Sequence, residues 1–487
     1  MSAIERVYTG EECRRLDRLA IEEFGISGID LMNRAGRFAL DQLQCHFPQA
    51  RSIKVIAGSG NNAGDGYVLA GTAKVRGFQV ALQQVGDPDR LVGDAKRAWQ
   101  WMLDQGVEPT ATTDCAADVF VDALLGTGTS GPPRPNYQQA IHGMLRGGGK
   151  ILALDLPSGI DASTGKAMSE QPVVADLTCT FVGAKRGLFT GDGVDCAGNV
   201  KLSELGIPKD VFNQVAGLEL IDPEKSNYCL PKRKPSSHKN QLGHVLVVGG
   251  DLGSGGAAIL AAEAALRTGA GLVTAATRPQ HVSAFLARCP EVMVMGADSE
   301  KDIAGLVESA DVVAVGPGLR ESAWSQSMLA GVLSRGPGRL VVDAGALRLL
   351  KEHSLPPDSI LTPHPGEAGH LLSMTSSQIQ SNRPAAIERL TRELRCIGIL
   401  KGAGSLIAEK GELIALVRCS NPSLATAGSG DVLTGIVATA HAQLDSSVDA
   451  AKTAVAVHCR AGNEAARLLA DRSVVAGDLI NNIRHLV

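Results

Sequence analysis

Residues 53–66 read IKVIAGSGNNAGDG: a short apolar, β-branched run breaks into glycine, asparagine and aspartate, and the helical-looking YVLAGTAKVRG follows. A buried strand, a glycine-rich turn and a helix in that order form the opening unit of a doubly wound α/β sheet. The turn is neither GxGxxG nor the GxxxxGK phosphate loop, and its two asparagines and aspartate ask for a ligand of their own. The same alternation continues through FQVALQQV (78–85), VFVDALL (119–125), KILALDL (150–156) and ADLTCTF (175–181), with helical stretches between them. Such short apolar runs imply a parallel sheet covered on both faces. Upstream, residues 16–43 read as helix, a break at GISG, and helix.

The pattern dissolves in DPEKSNYCLPKRKPSSHKNQ (222–241), where proline, lysine and serine crowd without apolar period. A second alternating series then starts at HVLVVGG (244–250) and a small-residue helix, SGGAAILAAEAALRTGAG (254–271), suited to close packing. The chain of 487 residues thus divides into two α/β domains, 1–224 and 225–487, each expected as a three-layer αβα sandwich. Hydrophobic residues make up 44% and charged residues 20%, a globular balance, and the net charge of −4 excludes a nucleic-acid footprint. The basic run PKRKPSSHK (231–239) reads as a solvated linker. No apolar run reaches membrane-spanning length, the N-terminus has no apolar signal core, and the ten cysteines form no CxxC pair. A reducing cytoplasm is expected, with cysteines such as Cys179 and Cys419 as small buried residues.

Three motif loops of the first half follow strands: GSGNNAGDG (58–66), DALLGTGTSGPP (122–133) and DLPSGIDASTG (155–165). In a doubly wound sheet all three reach the carboxyl edge, where ligands bind, and glycine lets backbone N–H groups approach a phosphate. Asn62, Asp122 and Ser158 offer amide, carboxylate and hydroxyl oxygens suited to a hard cation, or each caps its own turn. Asp65 is a ligand contact or a loop staple. Asp155 ends an apolar strand, where a carboxylate is costly unless paired or functional.

These segments, with LMNRAG (31–36) upstream and TFVGAKRGL (180–188) downstream, resemble the NAD(P)H-hydrate epimerase domain, over residues 8–220 or so. The resemblance implies a Rossmann-like fold. It assigns the hydrated dinucleotide to Asn61, Asn62, Ala63, Gly64 and Asp65, to the segment Gly126, Thr127, Gly128, Thr129, Ser130, Gly131 and Pro132, and to Asp155. It assigns a potassium ion to Asn62, Asp122 and Ser158. The family's loop reads NNGGDG, whereas this chain carries Ala63.

In the second half, GGDLGSGGAA (249–258), VGPGL (315–319), LTPHPGE (361–367), LKGAGSLIA (400–408) and NPSLATAGSGDVLTG (421–435) carry the chemistry. GSGD opening a helix puts backbone donors and a carboxylate together, so Asp431 is either a base beside a phosphoryl group or a residue favoured by the helix dipole. KGAGS suits a nucleotide turn, and prolines on both sides hold His364. His46 and His458 read as ordinary surface or core residues. Together these motifs resemble the ADP/ATP-dependent NAD(P)H-hydrate dehydratase domain of the ribokinase-like superfamily. The resemblance assigns the hydrated dinucleotide to Ala257, Gly318, His364 and Asp431, and the adenine nucleotide to Lys401, Gly402, Ala403, Gly404, Ser405 and Gly430.

The expected activity is repair of NADH or NADPH that has gained water. Asp155, with Lys185 as a second candidate, interconverts the two epimers in the first domain. Asp431 is the base for ADP-dependent dehydration in the second, giving AMP and phosphate. K+ in the first domain, Mg2+ in the second, ADP as co-substrate, a homo-oligomer and no membrane partner complete the expectation. A ribokinase-like small-molecule kinase would instead leave a stable phosphorylated product, and a non-catalytic binder would bind ADP without turnover.

Overall fold

The computed structural model describes residues 4–110, 116–129, 131–350 and 354–487. Ser130 lies outside the described residues. The chain forms two compact units, Met1–Glu219 and Leu220–Val487, dividing a few residues ahead of the expected 224/225. The basic 231–239 stretch therefore belongs to the second unit, where it is almost wholly exposed.

The first unit holds six parallel strands: β1 (Ser52–Ala57), β2 (Gln79–Gln84), β3 (Val119–Ala123), β4 (Lys150–Leu154), β5 (Leu177–Phe181) and β6 (Asn199–Ser203). Their spatial order is β2-β1-β3-β4-β5-β6. Side chains alternate across the sheet: Val119, Val121 and Ala123 enter one core, and Phe120 enters another on the opposite face. Around it lie α1 (Gly10–Glu22), α2 (Gly28–His46), α3 (Asn61–Val75), α4 (Gly93–Asp104) and α5 (Pro135–Arg146). This is the Rossmann-like αβα sandwich the sequence implies. α1 starts where Thr9 and Glu12 form a reciprocal cap, Thr9 Oγ1 accepting from Glu12 N at 3.1 Å and Thr9 N donating to Glu12 Oε2 at 2.7 Å. The strand order reverses between β1 and β3, so the loops after these strands flank the crevice where ligands bind in such sheets.

The first correction concerns the opening motif. α3 begins at Asn61, so NNAGDG is the first turn and a half of a helix rather than a loop. Its glycines face protein. A Cβ on Gly64 would lie 2.5 Å from Met32 Sδ, and one on Gly66 would lie 2.6 Å from Ala123 Cβ. Gly36 of α2 is equally tight, with the Asp65 carbonyl oxygen 2.7 Å from where a Cβ would stand. The glycines let α3 sink between α2, α4 and the sheet; Gly60 alone of the motif's four glycines has no atom within 4 Å of the added carbon. Ala63 sits in this helix fully buried, its φ outside the left-handed region, so its methyl group fills core.

The second unit is built on β7 (His244–Val248), β8 (Leu272–Thr277), β9 (Met293–Gly296), β10 (Val312–Val315), β11 (Leu340–Val342), β12 (Ile360–Leu361), β13 (Ile397–Leu400), β14 (Ser405–Glu409) and β15 (Glu412–Val417). The order is β9-β8-β7-β10-β11-β12-β13-β14-β15; neighbours from β9 to β13 run parallel, and β14 and β15 turn antiparallel. Val245 and Val247 join a core with α6 (Gly255–Thr268), α10 (Ser429–Gln443) and α11 (Ser447–Leu468), while Leu246 and Val248 are equally buried. The remaining helices used below are α7 (Ala323–Arg335), α8 (Pro365–Leu372) and α9 (Arg383–Leu394). α6 and α10 meet at Gly435, where a Cβ would stand 2.2 Å from the Ala261 carbonyl oxygen. The small-residue pattern of 254–271 serves this approach.

The second correction is Cys419. It is paired with Cys459 of α11 in a disulfide with Cα atoms 5.9 Å apart. Cys13, Cys45, Cys179, Cys196, Cys229, Cys289 and Cys396 are free.

Gly66→Ala tests the helix–sheet fit. The gain in helix propensity, about 1 kcal/mol, is smaller than the ~1–3 kcal/mol cost of overpacking. The variant should unfold at lower denaturant concentration than the wild type. An unchanged or raised midpoint would show that the approach has slack.

Candidate functional sites

In the first unit, a cavity of about 680 Å³ opens at the carboxyl edge of the sheet, lined from α1, α3 and the loops after β3, β4 and β5. Asn61, Asn62, Asp65, Gly126, Thr127, Gly128, Thr129, Pro132 and Asp155 all line it. Ala63 and Gly64 are buried on the protein side of α3 and do not. Gly131 takes a φ of +81°, a turn position. Gly126 brings two parts of the site together: a Cβ there would stand 3.2 Å from Asn62 Cβ and 3.7 Å from Asp155 Oδ2.

Asp122, Ser158 and Asn62 meet at one buried place. Asp122 Oδ1 accepts from Ser158 Oγ at 2.7 Å and from Leu124 N at 3.2 Å; its Oδ2 accepts from Ser158 N at 2.7 Å. Burial still pushes the Asp122 carboxyl up to about 6, against these hydrogen bonds. Asn62 Nδ2 donates to the Leu125 carbonyl at 3.2 Å, yet its Oδ1 is buried and makes no hydrogen bond. An orphaned buried acceptor is costly, and a hard cation shared with the neighbouring oxygens removes the cost.

Asp155 directly follows β4 with φ +66°, a strained setting for a non-glycine residue. Its Oδ1 forms a buried ion pair with Lys185 Nζ, which also donates to the Phe181 carbonyl at 2.8 Å. Lys185 is held there by a short strand, since Tyr8 pairs in parallel with it. Burial alone would push the lysine down; the Asp155 carboxylate reverses that and raises it.

In the second unit the centre is Asp343, which sequence reading missed. It directly follows β11, is fully buried, and accepts from Thr362 Oγ1 (2.7 Å), Lys401 Nζ (2.9 Å) and Thr434 Oγ1 (2.6 Å). Burial opposes its charge, but Lys401 and the two hydroxyls hold its carboxyl below the usual range. Lys401 also stands 3.8 Å from Glu367 Oε2 and lies beside Gly430. Asp431, in the first turn of α10, makes no hydrogen bond or ion pair among the described residues. Burial, then the Asp343 charge, pushes it up to about 7. RLVVDAG offers the same signal that singled out Asp155, an aspartate just past an apolar strand.

The KGAGS turn is stapled from below by Arg383 of α9, also missed. Its guanidinium is buried and donates to the carbonyls of Leu400 (3.4 Å), Lys401 (3.3 Å) and Gly404 (3.1 Å). Gly402 has φ +135°, and a Cβ there would lie 2.7 Å from Arg383 Nη1, so this glycine makes room for the arginine. Ser405 begins β14 and is nearly buried, and Ala403 lies in the turn between. His364 caps α8, its Nδ1 accepting from Gly366 N at 3.0 Å and Glu367 N at 3.3 Å. His458 is less ordinary than expected. It is buried and neutral, pushed down to about 4 by burial, and its Nε2 reaches the Ser429 carbonyl at 3.0 Å beneath the start of α10.

The loops after β7 and β10 are bound together, Asp251 N donating to the Gly318 carbonyl at 2.9 Å. Asp251 pairs with Arg278 at 3.0 Å, and Arg278 stacks over Trp324 of α7. Gly318, φ +71°, sits against Ala257; a Cβ on it would stand 3.2 Å from the Ala257 methyl.

A doubly wound unit with a cation-ready oxygen cluster, in one chain with a second that has a helix-borne carboxylate next to a lysine-lined turn, defines a two-site α/β enzyme of nucleotide chemistry. Residues 28–187 match the family described as YjeF-related protein N-terminus, and residues 245–484 match the NAD(P)H-hydrate dehydratase family. The bifunctional NAD(P)H-hydrate repair enzyme of Coxiella burnetii is 39% identical over 489 residues, covering 99% of each chain. A ribokinase-like superfamily protein from Enterococcus faecalis superimposes with TM-score 0.50 at 30% identity, covering 55% of this chain and 94% of its own. The ADP/ATP-dependent NAD(P)H-hydrate dehydratase from Bacillus subtilis, co-crystallised with ATP and Mg2+, gives TM-score 0.50 at 25% identity, covering 54% and 95%. The chain belongs to the family of bifunctional NAD(P)H-hydrate repair enzymes, and its second unit has the ribokinase-like fold. Among the described residues, no helix is long and apolar enough to cross a membrane.

Asp431 stores instability. Its folded pKa lies above the usual 3.8, so between 3.8 and about 7 the folded chain keeps a proton that the unfolded chain has lost. Its contribution to stability is therefore present at low pH and lost as pH rises through about 7. Asp431→Asn should melt above the wild type at pH 8, with the gap closing towards pH 5; a gap independent of pH would contradict the burial of this charge.

Proposed function

We propose that this chain repairs hydrated NADH and NADPH, interconverting the R and S forms at its first site and dehydrating the S form at its second with ADP as co-substrate. The observation that carries the dehydration is Asp431: a partnerless carboxyl at a helix N-terminus beside Lys401, with its pKa at about 7, able to take a proton at neutral pH. Asp431 removes the proton of the substrate hydroxyl. That oxygen attacks the β-phosphorus of ADP and AMP leaves. The C–O bond to the new phosphate ester then breaks, phosphate departs with the electron pair, and loss of a neighbouring proton restores the ring double bond. Lys401 and the start of α10 offset the charge on the transferring group. No cluster of three or more His, Cys, Asp or Glu forms a metal cage among the described residues. That fits Mg2+ carried on the nucleotide, because Mg2+ is ordinarily held by one or two carboxylates together with substrate phosphates. Mg2+ supplies neutralisation of phosphate charge.

At the first site, Asn62, Asp122 and Ser158 hold K+, whose role is to order the loops. The orphaned Asn62 Oδ1 supports that reading. Asp155 and Lys185 carry charge next to the reacting carbon. We place this chemistry in the cytoplasm and expect a homo-oligomer.

The test is incubation of a mixture of hydrated NADH epimers with ADP or ATP, following reduced cofactor and free phosphate. Full conversion with phosphate release is expected with ADP. A stable phosphorylated product would instead make the second unit a kinase. Asp431→Asn should abolish recovery of reduced cofactor while sparing epimerisation; dehydration at the wild-type rate would end the proposal. For the cation, KCl should raise the melting temperature above that in NaCl of equal ionic strength, and Asn62→Ala should remove the difference. Equal melting in both salts for the wild type would refute a potassium site.

A further inference from the structure

Asp155 is already met by a lysine, and the cavity holds two other carboxyls that nothing meets. Asp17 of α1 and Asp65 of α3 both line it, and neither makes a hydrogen bond or ion pair among the described residues. Such groups in a partly closed cavity are a cost to the fold, and they gather where proton transfer is needed. α1 is fixed over the cavity by its own contacts: Gly10 N donates to Ser163 Oγ at 3.0 Å and Arg14 Nη1 to the Thr127 carbonyl at 2.6 Å.

We propose that Asp17 is a catalytic acid of the first site, giving its proton to the hydroxyl that leaves the hydrated nicotinamide ring. This rests on the epimerase reading above. Water adds to an enamine so that the hydroxyl lands on the carbon bonded to nitrogen, because nitrogen stabilises a cation there. Inversion at that carbon therefore runs through loss and return of the hydroxyl. The Asp17 proton goes to the leaving oxygen, the C–O electron pair departs with it as water, and the ring nitrogen lone pair closes a C=N bond. Water then attacks the same carbon from the other face, the C=N electrons return to nitrogen, and the surplus proton passes to Asp155. It returns to Asp17 through the released water, restoring both groups.

The groups facing Asp17 set its protonation. They are Lys185, Asp155 and Asp65, with the Cys13 thiol one turn back on the same helix. Arg6, Lys209 and Asp210, on the short elements packed against α1, are exposed, as are Arg14 and Arg18 of α1 itself. Burial raises Asp17 to about 6, Asp155 adding to the rise and Lys185 opposing it. Asp65 is pushed well above the usual range by burial, then by Asp155 and Asp17. The acid form of Asp17 is thus present near neutral pH while Asp155 stays paired with Lys185.

Epimerisation by the wild type, measured above the spontaneous rate, should fall as pH rises past about 6. Asp17→Asn should lower kcat by about 100-fold or more, leave KM within a few fold, and erase the falling limb. Asp17→Glu should recover part of kcat with a displaced limb. Dehydration of the S form, in the other unit, should be unchanged in both variants. An Asp17→Asn chain within about threefold of wild-type kcat, with the same limb, overturns the assignment. If that variant loses its first unit, Asp17→Glu decides, and an undisplaced limb overturns it. A wild-type chain that does not speed epimerisation overturns the parent reading itself.

Discussion

A carboxylate just past the end of a buried parallel strand can stay ionised only if a cation and hydrogen-bond donors are waiting for it, and both units are arranged around that requirement. Asp155 follows β4 and meets Lys185; Asp343 follows β11 and meets Lys401. Each lysine comes from further along its unit, just past a later strand, so the pair joins segments distant in sequence. The negative charge is then neutralised at the sheet edge, and the surrounding carboxyls, Asp17 and Asp65 in one unit and Asp431 in the other, are left without such a partner. Their raised pKa values follow from that division, in which one aspartate meets a lysine and its neighbours are left to the effect of burial.

The packing serves the same edge. α3 and α10 both start at the carboxyl ends of strands, and each sinks close to its neighbours through glycine, Gly66 against Ala123 and Gly435 against Ala261. The asparagine-rich motif is therefore two things at once. Its inward residues, Ala63, Gly64 and Gly66, fit the helix to the sheet, and its outward residues, Asn61, Asn62 and Asp65, face the cavity. Arg383 performs the corresponding task beneath the KGAGS turn, holding three carbonyls so that the turn keeps its shape.

The alternation of apolar runs and helical stretches made both sheets legible, because parallel strands buried on two faces leave a plain mark in sequence. The convergence of Asn62, Asp122 and Ser158 was also legible, since each sits at or just past the carboxyl end of a strand of one sheet. What the sequence hid has a common cause. Asp17 lies on a helix before the first strand of the sheet, and nothing local sets it apart from other aspartates on amphipathic helices. Arg383 and His458 act through main-chain carbonyls, which carry no sequence signature. The helical start at Asn61 was obscured because glycine at 64 and 66 argues against helix by propensity, and tertiary fit overrides it. Cys419 and Cys459 lie 40 residues apart without a motif, and proximity alone pairs them.

That pairing closes a covalent ring from Cys419 to Cys459, and the whole of α10, Asp431 included, lies inside it. A protease that cut the loop before α10, or the turn after it, would open the chain without releasing a fragment. Both ends would remain anchored to the body of the unit. Topologically, the helix that carries Asp431 is a segment that no single backbone cut within the ring can set free.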